Sequence, residues 1–173
     1  ASNEKWHNII LREELPYISW LGGGMYDGFF LDVLDAAEVY KIKSNGRKMT
    51  NGLIKLIKKI KKAYPDKILI ANRRFAILKE IAPYIDALKY EEFTSAYGNI
   101  KNEAHYKKYY LKIDKKGRRI NSDEIEIIKE ALKINPQMLV LVLDHIKTKP
   151  RNIKIAKFCF RESQKLADKL NCK

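Results

Sequence analysis

The chain has 173 residues, 35 Lys and Arg against 21 Asp and Glu, a formal net charge of +14, and 46% apolar residues. That length suits one domain, and the apolar fraction is too high for a disordered tail. No apolar run approaches the ~20 residues that span a bilayer, so a membrane helix is excluded.

The polar start Ala1-Ser2-Asn3-Glu4-Lys5 carries no apolar signal-peptide core. A chain that begins without Met reads as a processed product or a piece of a longer one. The cationic excess is almost all Lys, spread over helix faces between Ile positions, as in heat-adapted proteins. Charge of that kind is a solvated surface before it is a binding site. Cys159 and Cys172 are the only cysteines and form no CxxC, so neither a disulfide framework nor a zinc site is indicated.

In chain order, a short fifth strand is conceivable at His7–Leu11, and the first clear one is Tyr26–Asp32. Met49, Leu53, Leu56, Ile57, Ile60 and Tyr64 recur every three or four residues, with lysines between them. That spacing predicts an amphipathic helix with one apolar stripe and one lysine face. Pro65-Asp66 stops it, and Lys67–Asn72 reads as the next buried strand.

A short helix near Phe75–Ile81 ends at Pro83, and Ile85–Glu91 follows as a third strand. Phe93–Arg119 is polar and Tyr/Lys-rich, a long loop with some helix. Asn121 starts a better helix, with Glu124 as its capping-box partner and Ile125, Ile128 and Leu132 as its apolar face. Met138–Asp144 is the most apolar strand, and Asn152–Leu170 the last helix, with Ile155, Phe158, Cys159, Leu166 and Leu170 on one side. Strands apolar on both faces, each followed by an amphipathic helix, predict an α/β fold with a helix-covered parallel sheet.

Parallel sheets bind ligands at the carboxyl ends of their strands. The four clear strands finish in Asp32, Asn72, Glu91 and Asp144, with Asp35, Glu38 and Glu92 just beyond. One such carboxylate is explained by helix capping. Three of four strand ends being acidic point instead to a metal site or to acid–base chemistry on a sugar.

These segments resemble a known family. Tyr26-Asp27-Gly28-Phe29-Phe30-Leu31-Asp32-Val33-Leu34-Asp35 is similar to the GfDGvFLDtlD signature of glycoside hydrolase family 114, the endo-α-1,4-polygalactosaminidase-like proteins, some once labelled cysteinyl-tRNA synthetase-related. Ile70–Leu78, Ala82–Glu91 and Leu141–Asp144 resemble its later strands in the same order, over roughly residues 15–160. The resemblance implies a parallel (β/α) barrel of TIM type over residues 1–173, incomplete on its N-terminal side, in a secreted or cell-envelope protein.

It also implies an endo-acting hydrolase of an amino-sugar polysaccharide, with a carboxylate pair carried onto Asp32 and Glu91 and no metal or organic cofactor. In a retaining mechanism Asp32 is the nucleophile and Glu91 the general acid/base. Asp35, Asn72 and Asp144 would bond sugar hydroxyls or amines. Tyr26, Tyr40 and Tyr97 would offer stacking faces, although ordinary packing is the commoner reason for a Tyr.

Two departures stand out. A full barrel needs eight strands and about 250 residues, so an open sheet, an oligomer or a missing N-terminal segment is expected. Arg74 and His145 replace the family's usual Gly and Tyr. Two other functions remain open. One is nucleic-acid binding through the Lys/Tyr-rich segment His105–Arg119, and the other is a catalytically silent carbohydrate-binding relative.

Overall fold

The computed structural model describes residues 2–32, 34, 46–93, 122–144 and 153–170. Its helices are α1 (Glu4–Ile9), α2 (Leu15–Leu21), α3 (Gly46–Ala63), α4 (Leu78–Ile81), α5 (Ser122–Ile134) and α6 (Ile153–Lys169). Its strands are β1 (Gly28–Leu31), β2 (Ile68–Asn72), β3 (Ala87–Glu91) and β4 (Leu139–Leu143). Among the described residues the strands form one parallel sheet in the order β1-β2-β3-β4, open and not closed into a barrel.

The chain divides into two compact units, Ala1–Leu88 with Ala131–Met138, and Lys89–Glu130 with Leu139–Lys173. In the first unit His7–Leu11 is helical, not a strand: α1 passes through a π turn at Ile10–Glu14 into α2. The Asn3 side chain caps α1 by accepting from the Lys5 N–H at 2.9 Å, and Glu4 lies in the first turn where the helix dipole favours an acid. Trp6, Ile10, Leu15 and Ile18 then share one face at helical spacing, which alternation at His7–Leu11 does not offer.

Helix α3 has the expected stripe, with Leu53, Leu56, Ile57 and Ile60 buried. Its lysine face is put to use: Lys55 and Lys59 each reach a Glu4 carboxylate oxygen at 2.5 Å, fastening α3 to α1. Hydrogen bonds from those two ammonium groups lower the Glu4 pKa to about 2.

β1 and β2 pair in register, Gly28 with Ile68 through Leu31 with Ala71. The two backbones come so close at Gly28 that a Cβ there would lie 1.9 Å from the Ile68 carbonyl oxygen. Asp86 anchors the start of β3. Its carboxylate accepts from the Leu69 N–H at 2.8 Å and from the Lys61 ammonium at 2.9 Å. Asn135, beyond the end of α5, donates its side-chain amide to the carbonyls of Ala82 and Ile85. The expected helix at Phe75–Ile81 is only its last four residues, between 3-10 turns at Phe75–Ile77 and Ala82–Tyr84. Pro83 sits in the first positions of the second turn, where a missing N–H costs nothing.

The second unit packs around Tyr90 and Phe93, both fully buried, with ring centroids 5.0 Å apart and edge-on. The Tyr90 hydroxyl donates to the Glu124 carboxylate. Ile125 and Ile128 of α5 are buried as expected, and Leu132 is half-buried.

The expectation of strands buried on both faces fails at β4. Val140 is buried, but Leu139, Leu141 and Leu143 are 47%, 41% and 36% exposed. In the first unit, Phe29, Leu69 and Ala71 are buried while Phe30 and Ile68 are exposed. Apolarity in the sequence does not by itself decide which strand positions are buried. On α6, Leu170 is buried and Phe158 half-buried, while the side chains of Ile155, Cys159 and Leu166 lie outside the described ones.

Candidate active site

In the first unit the register carries Asp32 and Asn72 one residue past the last paired positions, at adjacent strand ends. The Asn72 side-chain amide donates to Asp32 Oδ1 at 2.8 Å. Its own Oδ1 is buried and has no hydrogen-bond partner among the described residues. Asp32 is exposed, and it is one of the residues lining a mostly apolar cavity of about 440 Å³, with Trp6, Ile18, Phe30, Leu34 and Leu53 among others. A carboxylate that accepts a hydrogen bond and lines a mostly apolar cavity is suited to electrostatic or nucleophilic work on a polar substrate.

Backbone strain marks two strand ends. Arg73, directly after Asn72, has φ +54°, and Glu92, directly after Glu91, has φ +58°. Left-handed backbone at residues other than Gly costs roughly 1–3 kcal/mol and gathers at functional sites. Arg and Glu are not residues that announce such a conformation, so nothing in the sequence signalled it. Arg74, which takes the place of the family's Gly, is 1% exposed, a buried residue at the turn and not a surface charge.

In the second unit, Glu91 ends β3 half-buried, with the Lys89 ammonium 3.6 Å from its Oε2. The Glu92 N–H donates to the Leu143 carbonyl at 2.7 Å, which holds the ends of β3 and β4 side by side. Asp144 accepts from the Ser163 hydroxyl of α6. Both residues line a second cavity, of about 330 Å³. Ser163 escaped the sequence reading because a lone Ser on a helix carries no motif.

Each of Asp32, Asn72, Glu91 and Asp144 thus stands at the carboxyl end of its own strand or one residue beyond it. Asp32 is brought to Asn72, whereas the Glu92–Leu143 bond sets Asp144 opposite Glu92 and Glu91 opposite Leu143. Tyr26 is not brought to Asp32: it precedes β1 at the opposite end, six residues and roughly 20 Å of extended chain away. Asp35, Glu38, Tyr40, Tyr97, His145, Asn121 and the His105–Arg119 segment lie outside the described residues. Among the described residues no group of three or more His, Cys, Asp or Glu side chains is placed to hold a metal ion. No described helix is long and apolar enough to cross a membrane.

No protein-family model matches the chain, and no curated protein does. Among solved structures it is similar to the glycoside hydrolase domain of PelA from Pseudomonas aeruginosa, with a TM-score of 0.59 and 18% identity, over 86% of this chain and 52% of that one. A variant of the same domain matches with a TM-score of 0.57 and 18% identity, over 82% of this chain and 50% of that one. The chain spans about half the length of these solved domains. At this identity the likeness is one of fold: the chain is an α/β protein whose four parallel strands and their helices follow about half of a (β/α) barrel.

Proposed function

We propose that this chain belongs to a glycoside hydrolase that cleaves within an amino-sugar polysaccharide, with Asp32 as nucleophile and Glu91 as general acid/base. One observation carries the reading: Asp32, at the carboxyl end of β1, is held through Oδ1 by the amide of Asn72 on the adjoining parallel strand. A donor of this kind stabilises the ionised carboxylate that must attack the anomeric carbon, and it limits rotation of the attacking group.

The chemistry is that of a retaining glycosidase. Asp32 bonds to the anomeric carbon as Glu91 protonates the departing glycosidic oxygen, and water then releases the sugar with Glu91 acting as base. Two carboxyl groups suffice, and neither a metal nor an organic cofactor is required. Asn72 supports the nucleophile through its side-chain amide. Asp35 and Asp144 would bond hydroxyls or amines of the polymer, and Tyr97 would stack on a ring. The similarity in fold to a glycoside hydrolase domain and the resemblance of residues 26–35 to a glycosidase signature support the same reading. A polysaccharide substrate agrees with an extracellular or cell-envelope site of action.

The test is release of reducing ends from partially deacetylated α-1,4-linked galactosaminoglycan. Turnover lost in both Asp32→Asn and Glu91→Gln supports the assignment, and full activity in either variant refutes it. Polymer binding without release identifies a catalytically silent carbohydrate-binding protein instead.

A further inference from the structure

We propose that the turn joining α2 to β1 seats the protein on an anionic phospholipid surface, with Trp20, Leu21 and Met25 entering the lipid and the lysines beside them meeting its headgroups. The inference is independent of the glycosidase reading and uses none of its catalytic residues.

The patch is legible first in the sequence. In a chain whose residues are 32% charged, Leu15 to Tyr26 carries no charged side chain. Tyr17, Trp20 and Leu21 follow helical spacing and share one face of α2, and the Tyr17 and Trp20 rings stack with centroids 6.1 Å apart. Met25 and Tyr26 lead back to β1, with the Tyr26 ring packed so closely on Gly22 that a Cβ there has no room. All five are exposed, Trp20 at 73% and Met25 at 81%. Large apolar side chains exposed as a group mark an interaction site. Trp and Tyr settle at a membrane–water interface, and Leu and Met add area at the acyl boundary.

Two features select lipid over a protein partner. The first is that the backbone of the turn is closed on itself. The N–H groups of Gly22, Gly23, Gly24 and Met25 donate to the carbonyls of Ile18, Trp20, Ser19 and Gly22 at 2.8–3.2 Å. Gly23 and Gly24, at φ +61° and +76°, make that folding-back possible. Backbone so paired enters a medium without water at little hydrogen-bonding cost, and these four N–H groups are not offered to a partner strand.

The second feature is charge. The Lys67 ammonium donates to the Tyr26 carbonyl at 2.6 Å, so a cation borders the patch. Lys62 stands in the last turn of α3, and that helix carries seven Lys and Arg and no acid of its own. Asp27 and Asp66 lie at the same border, and Glu4 and Asp86 take up Lys55, Lys59 and Lys61. A cationic surplus is left, in keeping with the +14 of the whole chain, and anionic headgroups attract it. Tyr26 precedes β1 and Asp32 follows it, so a chain seated this way holds Asp32 at the far end of β1 from the lipid.

The experiment is cosedimentation with phosphatidylcholine vesicles made with and without phosphatidylserine. Binding is expected with phosphatidylserine and should fall as salt is added. In Trp6→Phe, which leaves Trp20 as the single tryptophan, emission should shift to the blue on adding these vesicles. Trp20→Ser and Leu21→Ser should each weaken binding about tenfold, the loss of one apolar side chain from the lipid. Lys62→Gln should weaken it about fivefold. An unchanged thermal midpoint shows that each variant is folded. No cosedimentation, equal binding to phosphatidylcholine alone, or affinity unmoved in folded Trp20→Ser and Leu21→Ser overturns the proposal. A blue shift that grows with protein concentration in the absence of vesicles shows that a second copy covers the patch, and overturns it as well.

Discussion

The amide of Asn72 meets Asp32 Oδ1 at 2.8 Å across the end of the β1–β2 pair, one residue beyond the last paired position, Leu31 with Ala71. Neither residue is near the other in the chain, and the contact depends on register. A one-residue slip of β2 would turn the Asn72 side chain to the other face of the sheet. If Asp32 is the nucleophile, Asn72→Ala should lower kcat by about 10²-fold with little change in KM, the usual loss for one preorganised donor. Initial rates of reducing-end release check this, and an unaltered kcat would separate Asn72 from the chemistry.

Gly28 controls the same register from the other end of β1. A methyl group there would sit 1.9 Å from the Ile68 carbonyl oxygen, a main-chain atom that cannot rotate away. Gly28→Ala is expected to destabilise the chain by about 3 kcal/mol, at the upper end of ordinary overpacking. Urea unfolding measures the loss, and a cost below about 1 kcal/mol would show that the two strands separate easily.

Tyr90 is fully buried and its hydroxyl serves the half-buried Glu124 carboxylate. Tyr90→Phe keeps the ring contact with Phe93 and takes away the donor, so the expected cost is about 1–3 kcal/mol. Ile57→Ala, at a position with no exposure, should cost about 2–5 kcal/mol through transfer and cavity terms. Denaturant midpoints for the two variants give the comparison, and a costlier Tyr90→Phe would contradict it.

Glu4 supplies a pH dependence with a definite sign. Its folded pKa is depressed to about 2 from 4.5 by the hydrogen bonds of Lys55 and Lys59. A depressed carboxylate contributes stability above its unfolded pKa and loses it as protons bind in the folded state. Stability from this cluster should therefore be complete above about pH 4.5 and vanish as pH falls towards 2. The group is fully exposed, so the effect is small and screened by salt. Thermal midpoints of wild type and Glu4→Gln should converge on acidification and on adding salt. A gap that widens below pH 4 would contradict the linkage.

Element types were largely readable from residue pattern. The apolar spacing of α3, the runs of β2 and β4 and the acids at strand ends all depend on neighbours in the chain, and each strand was found within two residues of its expected place. His7–Leu11 is helical although a strand is conceivable there, because the three-residue apolar run Ile9–Leu11 fits either period; the Asn3 cap and the continuation through Leu15 and Ile18 decide for a helix. Which strand face is covered depends on what lies beside the sheet, so the exposure of Leu139, Leu141 and Leu143 could not be inferred from their apolarity.

The sequence by itself determined the composition of the candidate site, because acids that end apolar parallel strands are drawn to the polar rim of such a sheet. Only the tertiary structure decided its partnerships. Asn72 on Asp32, Ser163 on Asp144, the left-handed Arg73 and Glu92, and the separation of Tyr26 from the strand carboxyl ends all follow from strand register and helix placement. Those are distances through space between residues up to 40 positions apart, and no local spacing encodes them.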